Sequence, residues 1–245
     1  MKFNLLLILV FIIPFHAKSD QIYELIKIPN LEIYDTGQKG IKYLIAGENF
    51  SAGVGINSVN CEQTKKDQLK KKFSLIKTNM NFYDKNFLKK VNLKFLILCK
   101  NLTVSDIPAI GFANPEMKTV ILNIDAKDKI FQRVLHHEIF HIIHKNFKDN
   151  FNESKWMGFN RSGFEYSSCS TCKEYVGLFP LNFTDGFYTN YAKTSVSEDM
   201  AETFSFLVLN DEYSRKKIKE DSVLKNKTNF IKENMLKIYN GFKFQ

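Results

Sequence analysis

The spacing of apolar residues changes several times along the chain, and each change predicts a different element. Residues 21–60 alternate short apolar runs with glycines, a pattern typical of small strands and turns. Residues 62–80 are rich in lysine but carry Leu69, Phe73 and Ile76 on one helical stripe. That spacing predicts an amphipathic helix whose charged face lies in solvent.

Two runs of branched apolar residues, 91–99 and 118–124, predict β-strands. Between them, residues 107–115 contain Pro108, Gly111 and Pro115, and we expect this stretch to form a loop. The second run lies just before the longest helical pattern, and we expect it to be an exposed edge strand of the sheet.

A helix is predicted to begin near Asp125, with Asp125 as its N-cap and Asp128 in its first turn. Its apolar residues lie on nearly every side, so we expect the helix to be buried. Residues 156–195 show little periodicity, and a stretch of that length is usually functional or disordered. Further helices are predicted at residues 196–210 and 229–239. The pattern as a whole indicates an α+β protein.

Composition narrows the class of protein only slightly. The 245 residues are 44% hydrophobic and 25% charged, which is ordinary for a globular protein. A net charge of +9 is compatible with anionic partners. However, the sequence contains neither a compact Arg/Lys motif nor a basic repeat interleaved with aromatic residues, so we expect no nucleic-acid binding.

The first residues have the features of an export signal. Lys2 precedes an apolar run at residues 5–15, and the small residues Ala17 and Ser19 follow. The run is too short to span a bilayer comfortably, so residues 1–19 are predicted to be a signal peptide. We therefore expect a secreted or periplasmic, monomeric protein without an integral membrane segment. Residues 20–245 would form one domain, with residues 20–60 as a candidate N-terminal extension.

Four cysteines would enter an oxidising compartment after export. They are Cys61, Cys99, Cys169 and Cys172. Structural disulfides are the favoured interpretation, with local pairing of Cys169 with Cys172 and of Cys61 with Cys99. One arm of a structural metal site and a redox-active dithiol are the alternatives for the Cys169–Cys172 spacing.

The candidate chemistry centres on the motif HExxH, from His137 to His141. Residues four apart share one helix face, about 5.4 Å along the axis, so both imidazoles can reach one metal ion. Glu138 projects about 100° away, where it can contact a metal-bound water. Two unpaired histidines and a glutamate would be costly in a buried helix without a metal. The alternative is a pair of hydrogen-bonded core histidines.

Catalytic zinc usually has three protein ligands, so a third is needed. His144 lies at the wrong offset on the same helix, and the position of a third histidine in the longer metzincin motif is Phe147. The next helix offers Glu198 and Glu202, which share a face. One carboxylate could bind the metal while the other accepts a hydrogen bond from a ligating histidine. Otherwise they belong to a solvated acidic face.

The run from Tyr191 to Phe204 (YAKTSVSEDMAETF) resembles the catalytic domain of anthrax lethal factor and its relatives, including the Pro-Pro endopeptidases. Those gluzincins follow HExxH with Tyr-x6-Glu-x3-Glu, which Tyr191, Glu198 and Glu202 match in spacing. The resemblance covers roughly residues 118–210, and the CxxC-bearing insert that precedes Tyr191 departs from the pattern.

This resemblance implies a role for each matching residue. The zinc ligands would be His137, His141 and Glu198, and Glu138 would be the general base. Glu202 would accept a hydrogen bond from a ligating histidine, and Tyr191 would donate one to the developing oxyanion.

The combined expectation is an exported zinc metalloendopeptidase acting on peptides or proteins. Its zincin-like α+β fold would have a small mixed sheet packed on the buried HExxH helix and a mainly helical C-terminal part. The substrate would lie extended against the strand at residues 118–124. The alternatives are a catalytically inactive zincin-fold binding protein and a toxin-like peptidase with one protein target.

Overall fold

The computed structural model of this protein describes residues 31–37, 39–53, 58–167 and 177–244. The strands of these residues form a mixed sheet built around one long strand. In chain order they are β1 (Leu31–Thr36), β2 (Lys42–Ala46), β3 (Phe50–Ala52), β4 (Val59–Glu62), β5 (Phe95–Val104), β6 (Ile107–Pro108), β7 (Gly111–Asn114) and β8 (Thr119–Asn123). The eight strands make a larger sheet than the sequence predicts.

Strand β5 pairs with two different groups of strands along its length. Its first half lies between β2 and β8, parallel to both, and its second half pairs antiparallel with β4 and β6. Leu96 and Leu98 face the main hydrophobic core, whereas Ile97 and Cys99 face a smaller core on the opposite side of the sheet. Because both faces are covered, the strand is apolar at consecutive positions instead of alternating ones.

The edge strand beside the HExxH helix is β7, which pairs antiparallel with β8. The expected loop at residues 107–115 and the expected edge strand at residues 118–124 are therefore both wrong. Residues 107–108 and 111–114 are strand, and β8 lies inside the sheet between β5 and β7. The proline and glycine content of residues 107–115 masks two short strands, of which β6 is stabilised by pairing with β5 and β7 by pairing with β8.

The α-helices of the described residues are α1 (Lys66–Met80), α2 (Lys85–Val91), α3 (Asp128–Asn146), α4 (Glu153–Met157), α5 (Val196–Leu209), α6 (Glu212–Glu220) and α7 (Ser222–Ile238), and short 3-10 helices lie at Lys148–Asn150 and Tyr191–Lys193. Helix α3 packs against β7 and β8 on one side and against α5 on another, and α5 in turn contacts α7. Burial on several sides explains why α3 is apolar nearly all round. The prediction of an α+β fold with a mixed sheet on a buried HExxH helix and a helical C-terminal part is confirmed.

Several element boundaries differ from their expected positions. Helix α3 begins at Asp128 after an N-cap at Lys127, and Asp125 instead lies in the preceding turn, where its backbone N–H donates to Asn123 Oδ1 at 3.1 Å. Val91 ends helix α2 and does not start a strand. Helix α1 starts four residues later than predicted, since β4 takes residues up to Glu62. Helix α6 was not predicted, and α7 begins seven residues before the predicted start.

A disulfide joins Cys61 on β4 to Cys99 on β5, as expected. The other two cysteines, Cys169 and Cys172, lie outside the described residues, as does the predicted signal peptide at residues 1–19. None of the helices in the described ranges combines the length and the apolar character needed to cross a bilayer.

Candidate active site

Three side chains from two helices converge beside the sheet edge. Helix α3 places His137 and His141 one turn apart, and the first turn of α5 presents Glu198. His141 Nε2 lies 3.0 Å from His137 Nε2 and 3.3 Å from Glu198 Oε2, and His137 Nε2 lies 2.9 Å from the same carboxylate oxygen. Ser195 caps α5 by accepting a hydrogen bond from the Glu198 N–H at 3.2 Å, which orients this turn.

The chemistry of these three atoms fits a zinc ion. His137 Nδ1–H donates to Glu202 Oε1 at 2.9 Å, so in the neutral ring Nε2 carries a lone pair. Two imidazole lone pairs and a carboxylate oxygen thus face one another, an arrangement that a cation stabilises. Their separations of 2.9–3.3 Å are close to the distance of about 3.3 Å between ligands around tetrahedral zinc. His137, His141 and Glu198 could therefore hold one metal ion between them.

Electrostatics also favours positive charge at this point. Although burial favours the neutral ring, the hydrogen bonds to Glu198 and Glu202 raise the pKa of His137 to about 10. Burial likewise opposes ionisation of Glu198, yet the two histidines hold the pKa of this carboxyl far below its ordinary value.

Glu202 lies one turn beyond Glu198 and is fully buried. Its Oε1 accepts from His137, and its Oε2 accepts from Thr189 Oγ1 at 2.8 Å. Arg133, one turn before His137 on α3, brings its Nε to 3.9 Å from Oε1. Burial opposes ionisation here too, but Arg133 and His137 lower the pKa of Glu202, which stays a carboxylate. The orientation of His137 is therefore fixed by a charged acceptor.

His141 has its own hydrogen-bond partner. Its Nδ1–H donates to Ser197 Oγ at 3.2 Å, which leaves Nε2 free to bind metal. Ser197 Oγ is also 3.5 Å from Nδ1 of His144, one turn further along α3. His144 does not reach the metal site, in agreement with its offset in the sequence.

Glu138 projects toward the edge strand rather than toward the three ligands. It is buried, and burial raises the pKa of its carboxyl. Gly111 of β7 lies directly against it: a Cβ at this position would be 2.6 Å from Glu138 Cγ and 2.5 Å from Val134 Cγ1. The close approach of β7 to α3 at this point therefore requires glycine.

Tyr191 lies next to His137 and Glu198. Its ring centroid is 5.9 Å from that of His137, and its hydroxyl hydrogen-bonds to Glu198. Burial and the neighbouring carboxylates raise the pKa of Tyr191 well above its ordinary value, so the hydroxyl is a donor at neutral pH. All six site residues expected from the sequence are thus brought together.

A cleft of about 820 Å³ runs between β7 and α3 across the metal site. Asn123 N–H donates to Ile110 C=O at 2.8 Å, so in the alternating antiparallel ladder Gly111 and Ala113 turn their N–H and C=O groups away from β8. The outer edge of β7 therefore offers backbone groups along the cleft that no strand of the described residues pairs with.

A buried hydrogen-bonded cluster around Asp199 lies beneath the site and was not predicted from the sequence. Asp199 Oδ2 accepts from Lys227 Nζ at 2.6 Å, from Tyr166 OH at 2.6 Å and from Trp156 Nε1 at 2.8 Å. Asp199 follows the ligand Glu198 on α5, so this cluster holds the ligand-bearing turn. Arg133, Thr189 and Ser197 were missed as well. Only Arg133 gave a signal, since it precedes His137 by four residues and shares its helix face.

A protein-family model described as "Putative zinc-binding metallo-peptidase" matches residues 70–240. The crystal structure of a putative zinc-binding metallo-peptidase from Bacteroides caccae ATCC 43185 is similar at 16% sequence identity. That similarity covers 91% of this chain and 84% of the other, with a TM-score of 0.45. A search of curated proteins finds no match. Because the family model spans more than half of the chain and includes both helices of the metal site, the protein belongs to this zinc-binding metallo-peptidase family.

Proposed function

We propose that this chain is an exported zinc endopeptidase of the gluzincin type, similar in its site to the lethal factor group. The observation that carries the proposal is the meeting of Glu138, Tyr191 and the three metal-binding side chains at one cleft beneath an unpaired strand edge. In this assignment Glu198 is the third ligand, and Glu202 orients His137.

The peptide substrate would be held by backbone pairing. Gly111 and Ala113 present their N–H and C=O groups to the cleft, and an extended peptide can add to β7 as a further strand. Since this pairing involves only main-chain groups, peptides of many different sequences could bind with their scissile bond next to Glu138.

His137, His141 and Glu198 would hold a zinc ion, which would supply Lewis-acid chemistry for activating water and polarising the scissile carbonyl. Glu138 accepts the proton of the attacking water and passes it to the leaving amine nitrogen. Its buried carboxyl with a raised pKa is suited to this exchange, which contributes about 10²- to 10⁴-fold in rate.

Tyr191 donates its hydroxyl proton in a hydrogen bond to the carbonyl oxygen as negative charge develops there. The raised pKa of the phenol keeps this proton in place through the reaction. A donor of this kind is worth about 10²- to 10³-fold in rate.

Export is supported by two features. The apolar run at residues 5–15 with small residues after it is typical of a cleaved signal peptide. The Cys61–Cys99 disulfide is a bond that persists in oxidising compartments.

The test compares the zinc-loaded wild type with the Glu138→Gln variant on a broad library of unstructured peptides. We expect the wild type to cleave, with Glu138→Gln at least about 10²-fold slower and equal in zinc content. The Glu198→Gln variant should bind markedly less zinc. If the zinc-loaded wild type cleaves nothing that Glu138→Gln fails to cleave, the peptidase assignment is wrong and a non-catalytic binding protein takes its place.

A further inference from the structure

The two ends of the cleft differ in chemistry. Strand β7 runs in the same direction as α3, because Gly111 lies against Val134 while Glu116, just after the strand, reaches Lys145 at 3.6 Å. One end is therefore lined by the apolar residues Ile107, Pro108, Ile110 and Val134. The other end is lined by polar residues after the HExxH motif, namely His144, Lys145, Lys148 and Glu153.

At this polar end, Lys148 differs from Lys145 in its ion pairing. Lys145 is paired with Glu116, whereas no carboxylate of the described residues lies within ion-pair distance of the Lys148 amine. An unpaired ammonium group in the wall of a cleft can bind an anionic ligand without first breaking an internal pair.

His144 supplies a second, independent feature. Its side chain is only 9% exposed, and its buried Nε2 has no hydrogen-bond partner among the residues that the structure describes. Ser197 Oγ accepts from His141 Nδ1 and so has its own proton available for Nδ1 of His144. The neutral His144 ring then carries its proton on Nε2, as an unused donor in the cleft wall.

Glu153 is the competing anion. Its Oε1 lies 3.8 Å from His144 Nε2, beyond hydrogen-bond distance, and its side chain is 46% exposed. A ligand carboxylate can therefore displace it at little cost, because Glu153 can turn into water.

The direction of the substrate follows from the direction of β7. A peptide that pairs antiparallel with β7, the more stable pairing, runs from the Lys148 end toward the Val134 end. Residues before the scissile bond then lie at the polar end, and residues after it lie at the apolar end.

We propose that this cleft selects peptides with an acidic side chain on the N-terminal side of the scissile bond and apolar side chains on the C-terminal side. Lys148 and His144 bind the carboxylate, and the wall of Ile107, Pro108, Ile110 and Val134 takes the apolar side chains. This inference rests on the proposed peptidase function, since it assumes an extended peptide along β7.

The experiment uses pairs of fluorescent peptides, taken from a cleaved library sequence, that differ only in Glu or Lys on the N-terminal side. The full-length zinc-loaded Glu138→Gln protein serves as the binding partner, so affinity is measured without turnover. We expect the Glu peptide to bind about three- to fivefold more tightly. Adding Lys148→Glu should abolish or reverse the preference, Glu153→Gln should increase it, and the matched control Lys70→Glu on α1 should leave it unchanged.

The outcomes separate the two proposals. Cleavage without a charge preference, or a preference that Lys148→Glu does not change, would overturn the inference and leave the peptidase assignment intact. Should no library peptide be cleaved, the same pairs are designed with a central apolar segment. Preferential binding of the Glu peptide would then support the carboxylate-binding role of Lys148 and His144 while the peptidase assignment fails, and equal binding would overturn that role as well.

Discussion

Gly111 of β7 lies so close to Glu138 of α3 that there is no room for a side chain between them. A methyl group on Gly111 would lie 2.7 Å from Glu138 Oε1. The edge strand and the proposed general base can therefore keep their present positions only if residue 111 is glycine.

The Gly111→Ala variant should lose activity by about 10- to 100-fold, because either β7 or the Glu138 carboxyl must move and small displacements of reacting groups are costly. Its zinc content should stay equal to that of the wild type, since the atoms nearest to an added methyl group belong to Val134 and Glu138 and not to a metal-binding side chain. The control is Gly158→Ala, where the added Cβ would be 3.4 Å from the nearest atom, Lys155 O. Full activity in Gly111→Ala would contradict the close approach of strand and helix.

Arg133 should govern zinc affinity without touching the metal. Its guanidinium group lies over the Phe206 ring at 4.9 Å and also donates to the Leu178 carbonyl. Replacing Arg133 by Met leaves the buried Glu202 carboxylate without its cation, so Glu202 should orient His137 less firmly. We expect zinc to bind about 10- to 100-fold more weakly, as judged by competition with a chromogenic chelator.

Arg133→Lys retains the charge and should recover part of this loss, whereas Lys70→Met, a charge removal on α1, should have no effect. Equal zinc affinity in Arg133→Met and the wild type would show that Glu202 needs no neutralising partner.

The buried pair of Asp199 and Lys227 should be a major contributor to stability. Both residues are fully buried, and burial raises the pKa of Asp199 although Lys227 opposes this shift. Lys227→Met removes the cation alone and should lower the free energy of unfolding by about 3–5 kcal/mol. In the double variant Asp199→Asn/Lys227→Met the loss should be smaller, because the amide oxygen still accepts from Trp156 and Tyr166. Urea unfolding of the variants measures both values, and a double variant no more stable than Lys227→Met would refute this account.

His136 should make the fold sensitive to acid. It lies on the face of α3 away from the metal, where Tyr83 OH donates to its Nδ1 at 2.7 Å and its Nε2–H donates to Asn79 Oδ1 at 3.0 Å. Burial lowers the pKa of His136 to about 3, below the 6.5 of a free imidazole. The unfolded chain therefore binds an extra proton between these values, so this contribution to stability is complete above pH 6.5 and decreases as the pH falls toward 3.

Between pH 7 and pH 5 the loss of unfolding free energy should be about 2 kcal/mol. His136→Gln cannot titrate and should show a decrease smaller by about that amount in the same urea titrations. An identical pH dependence in both proteins would mean that His136 is not held neutral in the folded state.

The metal site was predictable because its ligands follow helix spacing. His137 and His141 are four residues apart, as are Glu198 and Glu202, and periodicity places each pair on one face of its helix. The edge strand was not predictable, because the four residues of β7 carry glycine and asparagine and are ordered by pairing with β8. Lys227 was missed for a similar reason: nothing local in its sequence indicates that it is buried next to a residue 28 positions away.

The Asp199–Lys227 contact also indicates how much of the chain is needed to support the metal site. Every proposed zinc ligand precedes Asp199, yet the cation that neutralises Asp199 comes from α7, two helices later. A fragment ending after α5 would carry the entire ligand set and would still leave a charged carboxylate beneath it without a counterion. The part of the chain that supports the ligand-bearing turn therefore extends to Lys227, and this buried ion pair cannot form on the ribosome until α7 has been synthesised.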